Sequence, residues 1–167
     1  CYACMGAQRI TGPYAQQITE QIDTLDHDSD QVRAGAAEAL GFLRATSAEA
    51  PLIERLGDRS PTVRQQTALA LGWCGSRQAV GPLLDTLDDP DPMTRQAAHV
   101  ALTNLTGMEF PFDTTAPRPQ RADQIKAWRT WWSTVRSEQV PNSVKTLIKG
   151  FQQRPGSGSV TASSTYK

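Results

Sequence analysis

The stretch APLIERLGDRSPTVRQQTALALGWC, residues 50–74, decides the fold of this chain. Related copies stand on either side of it, TEQIDTLDHDSDQVRAGAAEALGFL at 19–43 and GPLLDTLDDPDPMTRQAAHVALTNL at 81–105. The copies start at 19, 50 and 81, so equivalent residues lie 31 positions apart (50 − 19 and 81 − 50). The columns that repeat are Leu25, Leu56 and Leu87; Arg33, Arg64 and Arg95; Leu40, Leu71 and Leu102; and Ala39, Ala70 and Ala101. Three copies in register indicate an internal repeat.

Each copy is typical of two helices joined by a short loop. In the first helix, Leu52, Ile53 and Leu56 fall on one face at helical spacing. The second helix is predicted to begin after a capping residue, whose side-chain oxygen accepts a hydrogen bond from an otherwise unpaired backbone N–H. Proline in the first turn strengthens two of the three starts. The predicted capping residues are Ser29, Ser60 and Asp91, followed by Pro61 and Pro92 in the second and third copies.

An alanine-rich apolar stripe runs along each second helix and predicts close packing between helices. Gly41 and Gly72 follow the stripe, and we expect the helices to end or bend at these glycines. The stripe residues are Val32, Ala36, Ala39, Leu40 and Leu43 in the first copy, and Val63, Ala68, Ala70 and Leu71 in the second.

The repeated residues resemble the short HEAT-like repeats of bacterial proteins, which are also found in phycobiliprotein lyases. The shared pattern is close to P-L-L-x-x-L-x-D-x-x-x-x-V-R-x-x-A-A-x-A-L-G and covers residues 15–107. This resemblance implies an all-α fold, a HEAT-like α-solenoid of about three two-helix repeats. It also implies a concave face, lined mainly by the second helices, on which another protein docks.

The resemblance further implies a structural role for the arginine column. In the family this arginine usually pairs with an aspartate of a loop, and the pairs build a ladder between neighbouring repeats. Arg33, Arg64 and Arg95 would carry that role here. The candidate partners are Asp26, Asp58, Asp88 and Asp89, and the predicted ladder contains Asp58 and Asp89.

Downstream of the repeats the sequence changes character. Residues 108–120 predict an irregular connector, and residues 121–137 predict a capping helix that closes the apolar end of the stack. This helix resembles the tryptophan-rich closing segment that follows HEAT repeats in many bacterial proteins. Its tryptophans either pack over the third repeat or anchor a partner, because Trp is enriched in binding hot spots. The partner-binding candidates are Trp128, Trp131 and Trp132. Residues 138–167 are predicted to be a C-terminal extension, partly of low complexity.

The first cysteine suggests a modification. Cys1 and Cys4 form a C-x-x-C pair. A redox role is disfavoured because such motifs lie at a strand-to-helix junction, and a c-type haem site is excluded because Met5 stands where it needs histidine. A zinc site is disfavoured because it needs two further ligands. A cysteine at the first position is typical of a mature bacterial lipoprotein. We therefore expect a lipid on Cys1, a linker over 1–14, and a location on the periplasmic or extracytoplasmic face of a bacterial membrane. The alternative is that the numbering starts arbitrarily. Cys74 is predicted to be a buried apolar residue.

Composition and motifs restrict the remaining function classes. Seventeen basic residues balance seventeen acidic ones, which disfavours a nucleic-acid surface. No run of about 18 apolar residues predicts a membrane-spanning helix. His27 and His99 form no His-Glu dyad of the kind that HEAT-like di-iron hydroxylases use, and no phosphate loop or nucleophile elbow is recognisable. No catalytic residue, metal, cofactor or small-molecule substrate is predicted.

The sequence thus predicts a non-catalytic protein-interaction scaffold. We expect a membrane-tethered accessory subunit whose partners are the protein subunits of a larger membrane complex, respiratory or photosynthetic. Two alternatives stay open at this point: a bilin lyase-like modifying protein, which the phycobiliprotein-lyase resemblance raises, and a soluble adaptor.

Overall fold

The computed structural model describes residues 12–137, and their side chains as far as Val135. This part of the chain is helical and contains no strand. The whole chain divides into two compact units, Cys1–Thr130 and Trp131–Lys167. The α-helices of the described part are α1 (Ala15–Thr24), α2 (Asp30–Phe42), α3 (Glu49–Arg55), α4 (Pro61–Cys74), α5 (Val80–Thr86), α6 (Pro92–Thr106) and α7 (Arg118–Ser137).

Each repeat consists of a short helix followed by a longer one. The pairs are α1 with α2, α3 with α4 and α5 with α6, and the two helices of each pair pack together. The long helices also pack side by side, α2 against α4 and α4 against α6. The predicted all-α solenoid of two-helix repeats is confirmed.

The core of the solenoid is built from the leucine and alanine columns. One leucine from each long helix is fully buried: Leu40, Leu71 and Leu102. The first repeat is covered less well, because no earlier repeat packs against α2 among the described residues. Val32 is exposed where its equivalent Val63 is buried, and Ala39 is half-buried where Ala70 is buried. The predicted apolar stripe of α2 therefore lies partly at the surface.

Gly41 and Gly72 lie in the last turns of α2 and α4, one and two residues before these helices end at Phe42 and Cys74, so the predicted helix ends lie close to the glycines. Neither glycine is itself the residue that caps its helix. A Cβ atom on Gly41 would stand 2.9 Å from the Cα of Ala70, and one on Gly72 would stand 2.8 Å from the Cα of Ala101. Such distances are shorter than van der Waals contact. Both glycines thus allow consecutive long helices to approach closely.

The predicted capping positions are correct, but the predicted capping bonds are mostly absent. Helices α2, α4 and α6 begin directly after Ser29, Ser60 and Asp91. Of the three, only Asp91 caps with its side chain, as its Oδ2 accepts a hydrogen bond from the Thr94 N–H at 2.7 Å. The Ser60 hydroxyl instead donates to Asp30 Oδ2 at 3.1 Å. This hydrogen bond joins the start of α4 to the start of α2.

The segment after the repeats begins at Gly107, which ends α6 in the left-handed conformation with φ of 67°. Glycine adopts this conformation without steric cost. Helix α7 begins at Arg118, three residues before the predicted start at 121. Pro119 lies in its first turn, where the missing backbone N–H costs nothing. The proline-rich sequence therefore starts the helix instead of delaying it.

Candidate interaction surface

The arginine column ties neighbouring repeats together by paired hydrogen bonds. Arg33 binds Asp58 of the next repeat in a fork, with Nε to Oδ2 at 2.9 Å and Nη2 to Oδ1 at 2.9 Å. Arg64 binds Asp89 in the same way, at 2.8 and 2.9 Å. Bidentate arginine–carboxylate pairs are among the strongest hydrogen-bonded contacts in proteins. These rungs join the repeats at the loops that precede the long helices.

Each arginine of the column also binds the loop of its own repeat. The Nη1 group of Arg33 donates to the carbonyl of His27 at 2.8 Å and to that of Asp28 at 2.9 Å. Arg64 Nη1 donates to the carbonyl of Asp58 at 2.9 Å. One guanidinium thus satisfies backbone carbonyls and a carboxylate together, which leaves little capacity for a partner protein.

The third arginine departs from the predicted pattern. Among the described residues no aspartate forms a fork with Arg95; its Nε and Nη2 donate to the backbone carbonyl of Thr114, at 3.1 and 2.6 Å. The position that continues the aspartate column, 31 residues after Asp89, holds Gln120. The ladder therefore ends on the connector.

The two other candidate aspartates pair with arginines that do not belong to the repeated column of Arg33, Arg64 and Arg95. Asp26 pairs with Arg55. Asp88 faces Arg118 and Arg121, at 3.5 and 3.8 Å. Both aspartates therefore bind other arginines, one of a short helix and two of α7.

The pair of Arg33 and Asp58 is the better buried of the two forks. Its side chains expose 4% and 3% of their surface, against 14% and 9% for Arg64 and Asp89. Burial alone would raise the pKa of Asp58, but the hydrogen bonds from Arg33 and from the Ser60 backbone outweigh it and hold that pKa below its usual value. Asp58 is therefore a carboxylate at neutral pH.

Trp128, predicted as a partner-binding candidate, is fully buried. Its ring lies 4.8 Å from that of Phe110 and 6.0 Å from that of His99, measured between centroids. His99 Nε2 forms a hydrogen bond of 2.9 Å with the carbonyl oxygen of Phe110. Trp128 thus packs the first part of α7 and the connector onto α6, and the prediction that it contacts a partner is corrected.

The other two candidate tryptophans lie in the second unit. Trp131 and Trp132 are half-buried, with 6.0 Å between their ring centroids. A role for them in partner binding stays a prediction. The predicted lipid site, Cys1, lies outside the described residues, as do the rest of the 1–11 segment and the C-terminal extension.

Sequence reasoning missed an exposed aromatic pair on the long helices. Phe42 exposes 73% of its surface and Trp73 exposes 50%. They occupy equivalent positions of the first and second repeats, 31 residues apart, and Asn104 holds the third. The 31-residue spacing that predicts the buried columns also places Phe42, Trp73 and Asn104 in one column. Burial, however, is decided by which side of each helix faces its neighbours.

One depression contains these two side chains, and a second depression adjoins it. The first, about 280 Å³, crosses α2, α4 and α6, and its wall includes Glu38, Phe42, Leu69, Trp73, Val100 and Asn104. The second, about 490 Å³, lies between α6 and the connector and is lined by His99, Val100, Asn104, Glu109, Phe110 and Pro111, among others. Because Val100 and Asn104 line both, they form one continuous surface, which we call the aromatic groove.

Arg44 contacts Trp73 at the edge of the groove. Its guanidinium carbon lies 5.4 Å from the centroid of the Trp73 ring, within the range of a cation–π contact. Arg44 adopts a left-handed backbone with φ of 47°, a conformation that glycine usually takes at the end of a helix. The chain therefore carries an arginine where backbone geometry favours glycine.

The described residues do not form the geometry of a metal site. Within residues 12–137, no group of three His, Cys, Asp or Glu side chains is arranged to hold a metal ion. Burial raises the pKa of Cys74 to about 11, which keeps this thiol protonated. None of the helices in the described part is long and apolar enough to cross a membrane.

Comparison with known proteins identifies the repeat. The family model described as HEAT repeats matches residues 18–103, more than half of the 167 residues. No curated protein matches the sequence significantly. The matched segment contains α2, α4, most of α6 and both arginine–aspartate rungs. The chain therefore belongs to the HEAT-repeat family.

Proposed function

We propose that this protein is a non-catalytic scaffold that binds another protein through the aromatic groove. HEAT repeats generally mediate protein–protein interaction, and such scaffolds are typically non-catalytic. The observation that carries the proposal is the exposure of Phe42 and Trp73 at equivalent positions of adjacent long helices.

The energetics of the exposed side chains favour a partner. Burying a phenylalanine side chain contributes about 1.5–3 kcal/mol, and tryptophan is among the residues most enriched in binding hot spots. In the groove, Phe42 and Trp73 are joined by Leu69 and Val100 into one apolar surface. A contiguous apolar surface at a solvent-exposed site marks an interaction region more often than scattered single residues do.

The scaffold also holds the groove in place before a partner arrives. The close contacts at Gly41 and Gly72 and the two arginine–aspartate forks hold α2, α4 and α6 in register. Because these helices carry the groove residues, binding requires little reordering of the backbone. Preorganisation of this kind lowers the entropic cost of association.

Site-specific photo-crosslinking tests the proposal. A photoreactive amino acid is placed at Asn104, which leaves Phe42 and Trp73 intact, and in a matched variant at Gln31, exposed at the other end of α2. In the source cells we expect defined protein adducts from position 104 but not from position 31. Those adducts should disappear when Trp73→Ala is added. Identical adducts from both positions, or adducts that do not depend on Trp73, would contradict a protein site in the groove.

The membrane assignment remains a prediction of the sequence. A lipid on Cys1, a periplasmic or extracytoplasmic location, and membership of a respiratory or photosynthetic membrane complex all depend on residues outside the described part of the chain or on unidentified partners. The mass of the N-terminal peptide from the native protein tests the lipid directly, because acylation and an unmodified cysteine give different masses. The bilin-lyase and soluble-adaptor alternatives are predictions of the same standing.

A further inference from the structure

We propose that the occupant of the aromatic groove is an amphipathic α-helix of the partner protein, with basic residues on both sides of its apolar stripe. This inference rests on the proposed function and names the chemistry of the partner. It is argued from the extent of the groove, from the groups that line it and from the charges at its ends.

The extent of the groove fits a short helix. The groove crosses three packed long helices, α2, α4 and α6, and continues to the connector at Phe110 and Pro111. Neighbouring helices pack about 8–10 Å apart, so two steps span about 16–20 Å. At about 1.5 Å per residue, a helix of about 12 residues covers that distance.

The groove wall favours a helix over an extended peptide. Its centre consists of the side chains of Phe42, Leu69, Trp73 and Val100, carried by helices whose backbone groups are already paired within each helix. An extended peptide would bring its own backbone N–H and C=O groups against this apolar wall without partners, which is unfavourable. A helix satisfies those groups internally and presents only its side chains.

Charges at the two ends of the groove select the partner. Glu38 lies at the α2 end and Glu109 at the connector end, and no lysine or arginine of the described chain lines either depression. Arg44 carries a positive charge near Trp73, but its guanidinium lies over the indole ring. Lysine or arginine residues that flank the apolar stripe of the partner would therefore meet a carboxylate at each end.

Binding of designed peptides tests the inference. The probe is a fluorescein-labelled helical peptide of about 12 residues, with a leucine and phenylalanine stripe flanked by lysines. One control has glutamate in place of each lysine, and the other keeps the composition but scrambles the stripe. Fluorescence anisotropy with the full chain at low salt measures the affinities. We expect the lysine peptide to bind about threefold to tenfold tighter than the glutamate peptide, and the scrambled peptide to bind weakest.

The double variant Glu38→Gln/Glu109→Gln should remove the difference between the lysine and glutamate peptides without reducing the effect of scrambling. Equal binding of the two peptides to the native chain, or tighter binding of the glutamate peptide, would overturn the charge assignment. Binding to anionic phosphatidylglycerol vesicles that depends on Trp73, with no peptide binding, would overturn the helix as occupant. If one of these contradicting results is obtained but Trp73-dependent crosslinks still form at Asn104, the proposed function stands and only this inference fails.

Discussion

The two ends of the long helices differ in chemistry although the same repeat generates both. At the N-terminal ends, arginine–aspartate forks and loop carbonyls form a closed polar network with its hydrogen-bonding groups paired. At the C-terminal ends of α2 and α4, Phe42 and Trp73 are exposed. The N-terminal ends therefore engage their polar side chains within the stack, whereas the C-terminal ends of α2 and α4 combine close helix contacts at Gly41 and Gly72 with apolar side chains exposed to solvent.

The largest effect is expected from breaking the buried fork. Asp58→Ala leaves the Arg33 guanidinium buried without its carboxylate, and we expect the free energy of unfolding to fall by about 3–5 kcal/mol. Urea denaturation followed by circular dichroism measures the change. Asp89→Ala is the matched control and should cost less, because the Arg64 fork is more exposed. Equal losses in the free energy of unfolding for the two variants would show that the deeper burial of the Arg33–Asp58 fork does not increase its contribution to stability.

A smaller loss is expected from filling the close helix contact. Gly72→Ala places a Cβ atom 2.8 Å from the Cα of Ala101, so α4 and α6 must separate. We expect a loss of about 1–3 kcal/mol in the free energy of unfolding. Gly35→Ala in α2 is the control, because nothing lies within 4 Å of its added Cβ. It should instead stabilise the chain by up to about 1 kcal/mol, since alanine is the better helix former. Two changes of the same sign would argue against the packing explanation.

Arg44 follows the C-terminal end of α2 and combines an unfavourable backbone conformation with a contact to Trp73. Arg44→Gly relieves the left-handed backbone, whereas Arg44→Ala does not, and both remove the contact with Trp73. We therefore expect the glycine variant to be more stable than the alanine variant by about 1 kcal/mol. Thermal unfolding of the two variants measures this difference.

Peptide binding by the same two variants distinguishes two roles of Arg44: holding the Trp73 ring in position and contributing a positive charge. Both should bind the lysine-flanked peptide more weakly than the native chain does, because the indole is no longer held by the guanidinium. If Arg44 acts only as a positive charge, its removal will instead strengthen binding of a basic peptide. An increase in affinity would therefore contradict the positioning role.

The smallest effect on stability is expected at the exposed C-terminal end of α4. Trp73→Ala should change the free energy of unfolding by less than about 1 kcal/mol, because half of the side chain is already exposed. The same substitution should abolish the crosslinks at Asn104. A loss of stability comparable to that of Asp58→Ala would show that Trp73 belongs to the core.

The outcomes at individual residues show how far sequence reasoning reached. Register alone placed the starts of α2, α4 and α6, and the family resemblance implied that Arg33 and Arg64 pair with aspartates. Neither the register nor the resemblance predicted that Arg95 binds the Thr114 carbonyl, because this partner is a backbone group of an irregular connector. The roles of Gly41 and Gly72 were also missed. A glycine required for a close contact and a glycine required for a helix end are identical in sequence.

The sequence by itself determined the repeat, its period and the column of Leu40, Leu71 and Leu102 that forms the centre of the core, because burial must recur whenever a helix packs against equivalent neighbours. Only the tertiary structure decided which side of each long helix remains open. Exposure of Phe42 and Trp73, burial of Trp128 and the left-handed backbone of Arg44 depend on where neighbouring helices and the connector lie. Those are contacts between residues distant in the chain, and no local pattern of amino acids specifies them.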